Sequence, residues 1–199
     1  MAQDVYVVGV GMIPFAKPGS NEPYPVMAAG ATREALANAG IGYEQVQQAY
    51  AGYVYGDSTA GQRALYEVGM SRIPIFNVNN NCSTGSTALY LARQAVQSGA
   101  VECALALGFE EMNPGALGTH FADRASPFDR FDDATEALAG ELELPLALRY
   151  FAGAGLAHMR EYGTRLSTFA SIRAKASRHA ARNPKAVFRD VVTTDEVLQ

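Results

Sequence analysis

The sequence predicts an α/β fold in which short strands alternate with helices, giving a mostly parallel sheet with helices on both faces. Three observations carry this. Brief apolar, β-branched runs recur through residues 5–109, alanine-rich stretches at helical spacing separate them, and glycine stands where each of the helices should stop. The 199 residues are 48% apolar and 18% charged, which suits a sizeable core and excludes disorder of the whole.

Val5-Tyr6-Val7-Val8-Gly9-Val10 reads as a first central strand buried on both faces. Gly9-Val10-Gly11 begins like a dinucleotide-binding turn, but Pro14 holds the third glycine position and no helix opens there. The glycines therefore read as a tight strand exit. From Pro25 to Ala39, Ala28, Ala31, Ala35, Leu36 and Ala39 share a helical stripe that Gly40 terminates. Val46 to Tyr55 is a second strand, and Ser58-Thr59 should cap a helix through Arg63–Val68 that ends near Gly69. Ile73 to Val78 is a third strand. Cys82 to Ser98 forms a helix with Ala88, Leu91, Ala92 and Ala95 on one stripe and Arg93 as its one charged residue, expected to be almost wholly buried. Val101 to Phe109 is a fourth strand.

From Glu110 to about Leu148 the periodicity dissolves into Gly, Pro, Asp and isolated aromatics, an inserted excursion with little regular sheet. Helical composition returns at Ala147–Tyr162 and Leu166–Arg182, and an acidic turn follows at Thr194-Asp195-Glu196. The last strand of a five-stranded sheet is expected to be missing or very short.

Sixteen basic and twenty acidic residues give a net charge of -4, with the basic ones scattered as far as Arg160, so no nucleic-acid footprint is expected. No run reaches the length of a membrane span, and Met1-Ala2-Gln3-Asp4 shows no secretory pattern. Cys82 and Cys103 lack the spacing of a zinc site or a disulfide scaffold, which points to a reducing, cytoplasmic setting and no metal.

Cys82 falls where a buried strand, after Asn79-Asn80-Asn81, meets the start of a helix. There the helix dipole and free amides favour a thiolate, and Ser83, Gly85, Ser86 and Ala88 leave room for an acyl group. An inert buried cysteine is the alternative, and physics alone weighs the two evenly. Cys103, between Glu102 and Ala104, fills core volume. His120, His158 and His179 all lie beyond the strands and carry no assigned chemistry.

The stretch Gly56-Asp57-Ser58-Thr59-Ala60-Gly61-Gln62-Arg63 and then Ile73 through Leu89, including Asn79-Asn80-Asn81-Cys82-Ser83-Thr84-Gly85-Ser86, resembles sterol-carrier-protein-type thiolases, often labelled lipid-transfer proteins in bacteria. Ala106-Leu107-Gly108-Phe109-Glu110 and His158-Met159-Arg160-Glu161-Tyr162-Gly163 extend the resemblance over nearly the whole chain.

The resemblance implies the amino-terminal half of a thiolase, divided into a core at 1–111, a loop domain at 112–165 and a helix with return segment at 166–199, the carboxy-terminal half being absent. It implies thiolysis of a 3-oxoacyl-CoA by CoA, in fatty-acid or sterol side-chain β-oxidation, with Cys82 as the acyl-accepting nucleophile. Coenzyme A is then a substrate, no cofactor is permanently bound, and the residues that contact CoA are unassigned. The activating histidine, second acid/base group and oxyanion hole belong to the family's second half, and no Gly-His-Pro occurs here. The chain is thus expected to be inactive alone, as a truncated, split or degenerate half. Its partners would be acyl-CoA and CoA, with a homodimer in the full-length enzyme or a second chain supplying the rest, and neither nucleic acid nor membrane. A thiolase-like aldolase for steroid side-chain CoA esters and a non-catalytic acyl-CoA-binding subunit are the alternatives.

Overall fold

A computed structural model describes residues 4–113, 120–140 and 146–199. The chain forms two compact units, Met1–Ala116 and Leu117–Gln199.

In the first unit, α1 (Tyr24–Ala39), β1 (Gln48–Gly52), α2 (Ala60–Tyr66), β2 (Ile75–Val78), α3 (Thr84–Gln97) and β3 (Ala104–Gly108) alternate as the sequence pattern requires. The strands are parallel in the order β2-β1-β3, with Ala49 of β1 opposite Ile75 and Leu105. Alternation along the strands sends Ala49 and Leu107 into a cluster with Ala28, Ala64 and Leu65 of α1 and α2. Tyr50 faces the other way, onto Ala88, Ala92 and Ala95 of α3. Both faces of the sheet are therefore covered. Alanine at the contacts lets helix and strand backbones approach closely, so much of the core is built from methyl groups.

The strand expected at Val5–Val10 does not form, and the described residues contain three strands rather than five. The segment spends its polar groups and glycines on α1 instead. The Val10 amide donates to Asn38 Oδ1 and that of Met12 to Glu34 Oε2, each at 3.0 Å. A Cβ on Gly9 would collide with the Ala35 carbonyl, and one on Gly11 with that of Ala31. The glycines thus serve close approach to a helix, not a strand exit. Tyr6, Val7, Val8 and Val10 are left 65–76% exposed. Between this segment and β3 runs an open cleft of about 840 Å³ lined by residues of both.

Helix ends follow the sequence signals unevenly. Gly40 ends α1 at φ 69°, its amide donating to the Ala37 carbonyl. Thr59, expected as a hydroxyl cap for α2, sits at φ 66° and makes no cap bond. The first amides of α2 are met from elsewhere in the fold: Ala60 donates to Tyr53 Oη at 3.2 Å and Gly61 to Asn77 Oδ1 at 2.9 Å. Nor is α3 wholly buried. Its alanine stripe lies on the sheet, whereas Leu89 and Tyr90 are 55% and 54% exposed.

The second unit is helical among its described residues: α4 (Asp129–Ala139), α5 (Leu146–Tyr162), α6 (Leu166–Ala181) and α7 (Thr194–Leu198). α4 lies in the excursion, where the sequence showed no helical period; residues 114–119 and 141–145 of that excursion lie outside the described set. Phe131 of α4 packs beside Tyr150 of α5, whose hydroxyl donates to Asp132 at 2.6 Å. Burial first, then this bond and the carboxylate charge, pushes the Tyr150 phenol up to about 12. The segment leading into α7 is tied to α6 at Ser177, whose Oγ accepts from the Val192 amide at 3.0 Å.

Candidate active site

Cys82 lies at the junction of β2 and α3, four residues past Val78 and just ahead of Ser83, the residue that opens the helix. The turn that delivers it is locked by side chains on either flank. Thr84 Oγ1 accepts from the Asn80 amide at 2.8 Å and donates to the Asn81 carbonyl at 2.5 Å. Ser83 Oγ donates to the Asn80 carbonyl at 2.8 Å, and Asn80 Nδ2 donates to Thr87 Oγ1 at 2.9 Å. Asn81, immediately before the thiol, takes the left-handed conformation at φ 47°, which asparagine tolerates better than most residues. The chain reverses there, and Cys82 emerges as an exposed free thiol.

Two strand ends seat this junction. A Cβ on Gly52, the last residue of β1, would stand 2.7 Å from Thr84 Cγ2, and one on Gly108 at the end of β3 would stand 3.7 Å from the Gly85 Cα. The start of α3 therefore rests on the carboxyl ends of β1 and β3, where parallel α/β sheets place their sites. No side chain caps α3, and the space beside Gly85 is open. The amides of Ser83 and Thr84 donate to the Asn80 and Asn81 carbonyls, so an anion formed next to the thiol meets chiefly the positive end of the helix.

Glu110 enters from the exit of β3. Its carboxylate accepts from the amides of Val54 at 2.9 Å and Tyr55 at 3.1 Å, in the loop that leaves β1. Burial raises the Tyr55 phenol above its ordinary value, and the charges of Glu110 and Cys82 add to the rise. Glu110 appeared in the sequence only as part of a resembling stretch. The signal that could have marked it is an acidic pair placed at the carboxyl end of a buried strand.

Cys103 lies one residue before β3 on the wall of the cleft, half-buried rather than mid-strand in the core, and burial pushes its thiol up. All three histidines belong to the second unit. His158 of α5 places Nδ1 2.9 Å from Thr164 Oγ1 and its ring against Tyr162, and His179 lies in the last turn of α6. Among the described residues no group of three or more His, Cys, Asp or Glu side chains could hold a metal, and no helix is long and apolar enough to cross a membrane.

The fold and this junction define an α/β protein that offers a thiol at a strand-to-helix turn. Residues 5–131 match the family model of the thiolase N-terminal domain, and the chain belongs to the thiolase family. It is 50% identical to sterol carrier protein 2 of Gallus gallus over 201 residues, covering 100% of the chain and 37% of that protein. It is also 31% identical over 201 aligned positions to the benzoylsuccinyl-CoA thiolase subunit BbsB of Thauera aromatica, covering 100% of the chain and 49% of that protein. Among solved structures, the Ltp2-ChsH2(DUF35) aldolase matches 94% of the chain and 46% of its own with a TM-score of 0.69 at 21% identity, a likeness of fold. The chain thus spans a little over a third of the sterol carrier protein it matches, and about half of the other two.

Proposed function

We propose that Cys82 is the acyl-accepting nucleophile of a thiolase that cleaves 3-oxoacyl-CoA with CoA. The observation that carries this reading is an exposed thiol at the uncapped start of α3, seated on two strand ends, in a chain of the thiolase family. The Cys82 thiolate adds to the 3-oxo carbon of the substrate. The C2–C3 bond then breaks, leaving the acyl group on Sγ and a carbanion at C2 that takes up a proton to give acetyl-CoA. A second CoA thiolate displaces Cys82 from the acyl group, so a thioester is exchanged for a thioester and the enzyme thiol is regenerated. The start of α3 supplies the helix field for the anion. The base that takes the thiol proton is sought in a partner or in further polypeptide of the kind the longer relatives carry, since the unit holding Cys82 contains no histidine.

Residues 112–165 would then be the loop domain. The setting would be fatty-acid or sterol side-chain β-oxidation in the cytoplasm, in a homodimer or with a second chain, and the two free thiols suit a reducing compartment. The fold likeness to an aldolase supports a second reading, a thiolase-like aldolase that needs no S-acyl step. The exposed Cys82 weighs against it.

Incubation with acetyl-CoA followed by intact mass spectrometry tests the proposal, with the chain alone and supplemented by the carboxy-terminal region of a longer relative. An added acetyl group that is lost in Cys82→Ala supports it. No adduct in either setting sinks it and favours the aldolase or a non-catalytic subunit.

A further inference from the structure

Glu110 makes a long-range contact that the acyl-transfer scheme leaves unused. It is held rigidly: the Phe109 amide donates to the Gly52 carbonyl at 3.1 Å, and the Phe109 ring stacks between Tyr24 and Tyr53 at 5.2 and 5.1 Å. From this fixed stem each carboxylate oxygen takes one amide of the loop after β1, Oε2 that of Val54 and Oε1 that of Tyr55. Bidentate acceptance by an ionised group is stronger and more directional than a neutral bond. The neighbouring acid has a different task, since Glu111 Oε2 accepts from the Tyr24 amide at the start of α1.

The clamped loop begins where β1 ends, at Gly52, in close contact with Thr84 two residues past the thiol. The shared electrostatic influence of Glu110 and Cys82 on the Tyr55 phenol agrees with that placement. We propose that Glu110 is a positioning residue of the Cys82 site, fixing residues 53–57 so that the loop forms one wall of the space from which a thioester approaches the thiol. The inference rests on the reading of Cys82 as acyl acceptor. It assigns to the Phe109-Glu110 stretch a part in presenting substrate, exerted through the loop and not by contact with the reacting atoms.

The experiment compares the wild-type chain with Glu110→Gln, Glu110→Asp and a control, Glu111→Gln. Gln loses the charge and one acceptor, while Asp keeps the charge but is too short to span both amides. Three quantities are followed: amide hydrogen exchange across residues 53–57, the pH profile of Cys82 acetylation by acetyl-CoA, and iodoacetamide alkylation of Cys82 relative to Cys103. Both Glu110 variants should raise loop exchange about tenfold, as expected for the loss of a charge-assisted bond. They should lower the maximal acetylation rate about tenfold without moving the midpoint of its pH profile. They should also move the alkylation ratio at least about threefold, while Glu111→Gln leaves all three unchanged.

Wild-type exchange in the loop, or an unchanged alkylation ratio because Cys103 alters in step with Cys82, overturns the proposal. A wild-type chain that takes up no acetyl group, either alone or supplemented by the carboxy-terminal region of a longer relative, removes the acyl-acceptor reading, and the exchange and alkylation arms still decide what Glu110 holds. If the Gln variant does not fold, the Asp variant gives the same decision.

Discussion

Gly52→Ala should loosen the seat of α3 more than any exposed change of the same size. The new Cβ would lie 2.7 Å from Thr84 Cγ2 and 3.0 Å from the Thr84 carbonyl oxygen. Carbon atoms pack at about 3.5 Å or more, so the helix start has to retreat by about 0.8 Å. Thr84 cannot turn aside, because it is 5% exposed and its hydroxyl is committed to Asn80 and Asn81. Overpacking of this kind costs about 1–3 kcal/mol. With a urea slope of about 2 kcal/mol/M, the midpoint followed by far-UV circular dichroism should fall by about 1 M. Gly85→Ala is the matched comparison, since its Cβ meets nothing within 4 Å and it lies in the first turn of α3. It should gain about 0.5 kcal/mol from helix propensity. Equal effects in the two variants, or a Gly52→Ala midpoint indistinguishable from wild type, would refute the claim that β1 and α3 meet through a missing side chain.

Thr84→Val keeps the shape but strands the Asn80 amide, while the Asn81 carbonyl keeps its bond from the residue 84 amide, costing about 1–3 kcal/mol in the same urea titration and broadening the reactivity of Cys82 in mass-spectrometric alkylation. Because burial raises the Cys103 thiol above the ordinary value of 9.0, its alkylation should climb only at pH above that value, and peptide mapping at pH 8 should find Cys82 consumed first. Thr193 and Glu196 form a reciprocal cap on α7, and these bonds hold the Glu196 carboxyl below its ordinary 4.5. A depressed acid stabilises the fold above its unfolded value and loses that contribution as pH falls through the folded one, so NMR shifts of Thr193 and Val197 should change below pH 4.5 and not in Glu196→Gln.

What the sequence made legible was local. Ala28 and Ala35 announced α1 and Gly40 its end, because helical spacing and a left-handed stop are properties of a short window. Cys82 was legible for the same reason, as a thiol between an apolar run and the start of a helix. Thr59 misled because its backbone angle withdraws the hydroxyl, and Asn77, distant in sequence, does the capping. Val5–Val10 misled because an apolar run specifies burial preference but not a partner, and α1 offered Asn38 and Glu34 where no strand lay alongside. Glu110 was unreadable as a clamp, since its bond to Val54 crosses 56 residues and exists only once β1 and β3 are aligned.

The unfilled space beside β3 bears on how this polypeptide behaves in solution. Ala104-Leu105-Ala106-Leu107-Gly108 is an edge without a lysine, proline or bulge to deter pairing, and facing it stand Val7, Val8 and Val10 with their side chains outward. Such an edge templates whatever extended backbone reaches it, including the same residues of a neighbouring molecule. Colloidal stability should therefore depend steeply on concentration, and a single lysine at Leu105 would trade core packing for a guarded rim.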